Sequence, residues 1–261
     1  MSEIPAELLA LWFFAIGLCV GSFLNVCIAR IPEQRSVVFP PSACPACGSR
    51  IRWYDNIPLV SYLVLGGRCR LCHTWISPVY PLVELLGGSI FLAQFLHAGL
   101  SIELARGSIL LTCLVVLFFI DLRHMILPDL ITYPACFAGL AFAAAGLAPI
   151  TVLDSLSGAL GGAATLLIIL GGYYLVRRRL GMGLGDVKMM LSIGAFLGLK
   201  GTYLALVAAS LTGGVFSVGL LLLGKKFDYA IPFGTFLAFG AAFSYFAGSG
   251  PLDWYLSLLQ F

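Results

Sequence analysis

The chain has 261 residues, of which 60% are hydrophobic and only 10% charged. Soluble domains carry about 25% charged residues; this chain therefore lacks the polar surface of a soluble globule, and disulfide scaffolds, nucleic-acid-binding domains and disordered tails are excluded as well. An all-α polytopic membrane protein remains, and with a formal net charge of +3 the placement of the charges matters more than their sum.

A helix needs roughly 20 apolar residues to cross a hydrocarbon core about 30 Å thick. In chain order the apolar runs Leu8–Ile28, Tyr80–His97, Ser108–Ile120, Leu130–Ala148, Ser155–Val176, Val187–Leu199, Thr202–Leu223 and Ile231–Gly248 predict eight transmembrane helices. The first reads as a span and not a signal peptide, because Glu3 and Glu7 flank it in place of Lys or Arg and the run is too long. Residues 1–29 form the first span, 30–77 a soluble loop and 78–261 the membrane core. Positive charge collects on the cytoplasmic side. An external N-terminus puts 13 of the 15 Lys and Arg inside, among them Arg177, Arg178, Arg179, Lys225 and Lys226; Arg106 and Lys200 fall outside. There is no convincing internal repeat, and the 30 glycines permit close helix packing.

The soluble loop contains Cys44-Pro45-Ala46-Cys47 and Cys69-Arg70-Leu71-Cys72, two C-x2-C pairs separated by 21 residues. Two such pairs can hold Zn²⁺ tetrahedrally at about 2.3 Å, and in a reducing cytosol disulfides are disfavoured. A structural four-cysteine zinc ribbon is the preferred reading over two reduced or redox-active pairs, with His73 a neighbour and not a ligand. The loop also carries six Arg against Glu33 and Asp55, a basic face suited to anionic lipid.

Glu84, Asp121 and Asp186 stand at membrane depth, where an ionised side chain costs at least ~2.5–3.5 kcal/mol on insertion scales and is a functional candidate. Asp121 ends an apolar run and is followed by Leu127-Pro128-Asp129, where the proline forces a break. Asp129 then suits a helix-capping role. Asp186 follows Gly181, Gly183 and Gly185, which allow the backbone to bend and another chain to approach. In the eight-span topology both aspartates lie near the cytoplasmic face. Two carboxylates at one depth can share a proton and serve as acid and base, the equipment of an aspartic protease. Chemistry alone leaves a protease and a carboxylate-lined transporter level.

At these residues the chain resembles the type IV prepilin leader peptidases, membrane aspartic peptidases of the G-x-G-D class that also N-methylate their product. The matching segments are Gly21-Ser22-Phe23-Leu24-Asn25-Val26 with Arg30-Ile31-Pro32, the paired-cysteine loop, Ser77 to Leu85 around Glu84, Asp121 with Leu127-Pro128-Asp129, Gly183-Leu184-Gly185-Asp186, and Ile231-Pro232-Phe233-Gly234. Together and in order they cover nearly the whole chain; Leu127, where isoleucine is common, is a mild departure.

The resemblance implies a bacterial inner-membrane enzyme whose substrate is a type IV prepilin or a type II secretion pseudopilin, cut after a basic leader at a Gly-Phe junction. It makes Asp121 and Asp186 catalytic and Gly183 and Gly185 the active-site loop. It also implies N-methylation with S-adenosylmethionine as donor, for which Asn25, Arg30 and Glu84 are candidates, although Glu84 pairing with Arg30 is the preferred expectation. Membrane lipid is a further partner, and nucleic acid is not. A peptidase-only relative, which tends to lack the cysteine loop, and a transporter, which should show repeat symmetry, are the alternatives.

Overall fold

A computed structural model of the chain describes residues 5–179, 181–224, 232–248 and 250–259. Regular structure among these residues is helical. In chain order the α-helices are α1 (Ala6–Arg30), α2 (Val60–Val64), α3 (Val79–Ala98), α4 (Ile102–His124), α5 (Asp129–Ala144), α6 (Val152–Arg177), α7 (Leu184–Leu222), α8 (Phe233–Ala247) and α9 (Gly250–Leu259). Five of them, α1, α3, α4, α6 and α7, are long and apolar enough to cross a membrane, and α5 and α8 are shorter apolar helices. Glu3, Lys225, Lys226 and Ile231 lie outside the described residues.

Each expected span coincides with helix, and the differences have physical reasons. The sixth and seventh spans run on as α7, broken by one non-helical residue, Gly198, at φ 68° and ψ −175°. That conformation is open essentially to glycine alone. The Asp154 carboxylate occupies the place a Cβ would take, and its Oδ1 accepts from the Leu199 amide at 3.1 Å. Asp154 thus serves as a cap supplied from α6 for the second half of α7. Helix α4 begins before its expected Ser108 start because Arg106, 4% exposed, is matched by Glu103 one turn earlier at 2.6 Å. Paired charges tolerate burial where a lone one does not. The short α9 has no counterpart among the expected spans; Pro251 stands at its second residue, inside the first turn where a missing amide costs nothing.

The chain forms two compact units, residues 1–108 and 109–261. In the first, α1 packs on α3 through backbone contact at Gly17 and Gly87, and Phe13 stacks on Phe95 at 5.0 Å. In the second, α6 meets α7 where Gly158 faces Gly194. Buried hydroxyls join the helices: Ser155 Oγ donates to Ala195 O at 2.7 Å, Ser192 Oγ to Thr132 O at 2.6 Å and Ser244 Oγ to Gly201 O at 2.8 Å. Such bonds act as polar glue where no hydrophobic force drives helices together.

Candidate active site

Within the second unit, Asp121 lies in the last turn of α4 and is 5% exposed. Its Oδ2 accepts from the Thr235 amide at 2.8 Å and from Thr235 Oγ1 at 3.2 Å. Thr235 stands in the first turn of α8, directly after Pro232-Phe233-Gly234. The first amides of a helix have no partner within it, and that end carries partial positive charge. Asp121 therefore caps α8 from another helix. The approach depends on Gly234, where a Cβ would stand 2.9 Å from both Asp121 Oδ2 and Leu127 Cδ1.

Asp186 is the third residue of α7 and is 7% exposed. Gly183, extended at φ −80° and ψ 149°, is the residue from which α7 starts, and the Asp186 amide donates to its carbonyl at 3.2 Å. Leu127 joins the two halves of the site. It touches Gly234, next to Asp121's partner Thr235, and it lies against Gly185, where a Cβ would be 3.0 Å from Leu127 Cβ. Asp121 and Asp186, 65 residues apart in the chain, thus flank the same side chain, Leu127, which lies against Gly234 on one side and Gly185 on the other. Gly183 is the N-cap position and Gly185 the second residue of α7, just ahead of Asp186.

Asp129 does not cap α5 as expected. It is the first residue inside α5 after Pro128, and its carboxylate accepts Lys188 Nζ at 2.7 and 2.9 Å. A carboxylate inside the first turn keeps the favourable helix-end charge while remaining free to reach across to α7. The pair links the loop after Asp121 to the turn bearing Asp186. Thr235, Gly234 and Lys188 had no assigned role in the sequence reading. The signal for Thr235 was present, since a helix start after Pro232 leaves unpaired amides that a carboxylate can meet.

In the first unit, the Sγ atoms of Cys44, Cys47, Cys69 and Cys72 all lie within 4.8 Å of one another, and Cys44 Sγ is 3.7 Å from Cys72 Sγ. A zinc–sulfur bond of about 2.3 Å sets a tetrahedral edge of about 3.8 Å, so the cluster fits the ion. The two pairs share one local geometry. Cys44 N donates to Ser49 O and Cys69 N to Thr74 O, both at 2.9 Å. Gly48 (φ 70°) and His73 (φ 54°) hold equivalent turn positions, so His73 is a turn residue. The Ser49 hydroxyl beside Cys47, the Cys72 amide beside Cys69 and the Thr74 hydroxyl beside Cys72 each lower the pKa of their thiol. This favours the thiolate a metal needs at three of the four cysteines, while the thiol of Cys44, the buried one, is shifted up. Arg70 grips Asp55 at 2.6–3.0 Å across the loop.

Asn25, Arg30 and Glu84 also lie in the first unit. Asn25 Nδ2 donates to Tyr80 O at 3.0 Å, Arg30 Nη1 to Ser36 O at 3.0 Å, and Glu84 Oε2 accepts from Leu59 N at 2.8 Å. The expected Glu84–Arg30 pair is replaced by these backbone contacts. Leu59, at φ 58°, turns the chain into α2, and its amide there meets Glu84.

The family model for the bacterial peptidase A24 N-terminal domain matches residues 15–98, and that for the type IV leader peptidase family matches residues 108–218. A Myxococcus xanthus protein named prepilin leader peptidase/N-methyltransferase is 44% identical over 83% of this chain, which spans 64% of that relative's length. Proteins of the same name from Aeromonas salmonicida and Pseudomonas aeruginosa are 36% identical over 94% of this chain and 93% of the relative, and 35% identical over 85% of each. No solved structure matches. By its two family matches and its similarity to full-length relatives, the chain belongs to the type IV leader peptidase family.

Proposed function

We infer that the chain is a membrane aspartic endopeptidase that removes the leader of type IV prepilins or type II secretion pseudopilins at a Gly-Phe junction. We further infer that it N-methylates the new terminus with S-adenosylmethionine. The observation that carries the peptidase reading is the placement of Asp121 and Asp186 at the ends of two helices on either side of Leu127, both nearly excluded from water. A shared proton makes one carboxylate the base and the other the acid, and the pair titrates as a unit. The base takes a proton from water as the oxygen adds to the scissile carbonyl. The acid protonates the carbonyl oxygen, and a proton passes to the departing amine as the C–N bond breaks. Thr235 holds Asp121 through Oδ2, which leaves Oδ1 for water. Gly183 and Gly185, at the start of α7, place no side chain beside a substrate that must be extended to be cut.

Cys44, Cys47, Cys69 and Cys72 are assigned to Zn²⁺. A closed four-thiolate site stiffens the loop and performs no catalysis. Bound S-adenosylmethionine would supply an electrophilic methyl group for the free amine. Asn25, Arg30 and Glu84 are engaged with backbone groups, so they fit the holding of the loop on α1 and α3 better than a donor pocket, and no methyl-transfer step is routed through them. The distribution of Lys and Arg supports an inner-membrane enzyme with loop and aspartates at the cytoplasmic face.

The test is incubation with a synthetic prepilin, with and without S-adenosylmethionine, comparing wild type with Asp186→Asn. Leader release by the wild type alone, plus one added methyl when the donor is present, is expected. Normal processing by the variant overturns the dyad; complete cleavage without methylation leaves a peptidase alone.

A further inference from the structure

Beside Asp121 a groove of about 440 Å³ opens between α4, α7 and α8. Its walls are Phe118 and Leu122 of α4, Met125 just beyond it, Phe216 of α7, and Phe236 and Phe239 of α8. On each helix these positions recur three or four residues apart, so one face of each looks into the groove. The lining also contains two hydroxyls, and both donors are spent. Thr212 Oγ1 donates to Ala208 O at 2.7 Å, and Thr235 Oγ1 to Asp121 Oδ2 at 3.2 Å. What remains is an aromatic and aliphatic surface, with Leu122, Phe216 and Phe239 well exposed.

The groove is continuous with the candidate active site. Leu122 follows Asp121 in the chain, and Thr235 belongs to both, lining the groove while holding the carboxylate. Phe118 and Phe239 each lie one helical turn from this junction, so the groove extends about 5 Å beyond it. A polypeptide whose scissile bond lies at Asp121 therefore has its next residues within reach of these walls. A charged side chain would lose its hydration there without compensation, whereas a bulky apolar one fits helix-in-groove recognition.

We propose that this groove receives the first apolar turn of the substrate beyond the scissile bond, with Phe118, Leu122, Phe236 and Phe239 reading the size of the residue that follows the cut. The assignment rests on the peptidase reading above. It makes the groove a specificity subsite within the membrane, with selection by volume and apolarity and not by hydrogen bonding. Phe239, at the far wall, sets its depth.

The test is a size exchange between enzyme and substrate. Two synthetic prepilins differ only in the residue after the cut, Phe or Ala, and the ratio of their kcat/KM is measured for wild type, Phe239→Trp and Leu122→Ala. Filling the groove with Phe239→Trp should lower the Phe/Ala ratio about tenfold, the discrimination expected of an apolar pocket altered by a methylene or two; opening it with Leu122→Ala should raise kcat/KM for a third prepilin, with Trp after the cut, relative to the Phe one. A second measurement needs no groove variant. A photoreactive phenylalanine analogue placed after the cut is captured on Asp186→Asn, and crosslinks within residues 118–125 or 232–239 are expected. Unchanged ratios, or crosslinks only to lipid or to other helices, overturn the proposal and leave the groove to acyl chains. Failure of the wild type to cut either substrate overturns the peptidase reading instead.

Discussion

Asp121 and Thr235 lie 114 residues apart in the chain and are joined by two hydrogen bonds to a single carboxylate oxygen. The amide bond survives any change at 235 except to proline; the hydroxyl bond survives only a change to serine. Thr235→Val should therefore weaken leader removal about tenfold or more, the effect of one hydrogen bond to a charged group worth ~1.5–3 kcal/mol, and Thr235→Ser should recover most of it. An unchanged kcat in the valine variant would show that the amide alone holds Asp121.

The dyad itself makes a larger prediction. Asp121→Asn and Asp186→Asn should each reduce cleavage by about 10²–10⁴-fold, the contribution of positioned acid–base groups, and the double variant should be little worse than either single one because the pair works as a unit. Purified variants eluting as wild type in detergent would show that loss of folding is not the cause. Multiplying deficits would separate the two carboxylates into independent roles.

Purified protein should contain close to one zinc per chain, and replacing both Cys69 and Cys72 by Ser should remove it. Proteolysis between residues 40 and 76 should then accelerate, because the loop's own buried surface is small and the ion supplies its rigidity. Full metal content in the double variant would exclude the four-thiolate site.

Gly198→Ala forces a side chain into a backbone region that costs ~1–3 kcal/mol and into the Asp154 carboxylate. The thermal unfolding midpoint in detergent should fall. Asp154→Ala should also destabilise, by the loss of the Leu199 cap, typically ~1 kcal/mol. In the combined variant the deficits should be less than additive, since Asp154→Ala removes the collision.

The Arg70 guanidinium holds the Asp55 carboxyl below its usual range. With the folded value beneath the unfolded one, about 3.9, this link stabilises the loop above the unfolded value and is lost as pH falls through the folded one. At neutral pH Asp55→Asn should make the loop more open to amide hydrogen exchange than wild type. Below about pH 4, as Asp55 protonates, the difference should shrink. A gap that persists in acid would place the effect of Asp55 elsewhere.

The helices were legible along the chain because membrane spans are written as local apolar runs, and the cysteine pairs because metal ligands recur at short spacing. Asp121 and Asp186 stood out because a carboxylate in such a run is expensive. Other features depended on partners distant in sequence. Gly198 breaks α7 because of Asp154, Asp129 faces Lys188 where a cap was expected, and Glu84 meets the Leu59 amide where Arg30 was expected. Local composition determined which segments are helical and which residues carry charge into them. Only the tertiary structure decided which helix end each charge satisfies, because a buried polar group takes the nearest unpaired donor or acceptor in space, whatever its distance along the chain.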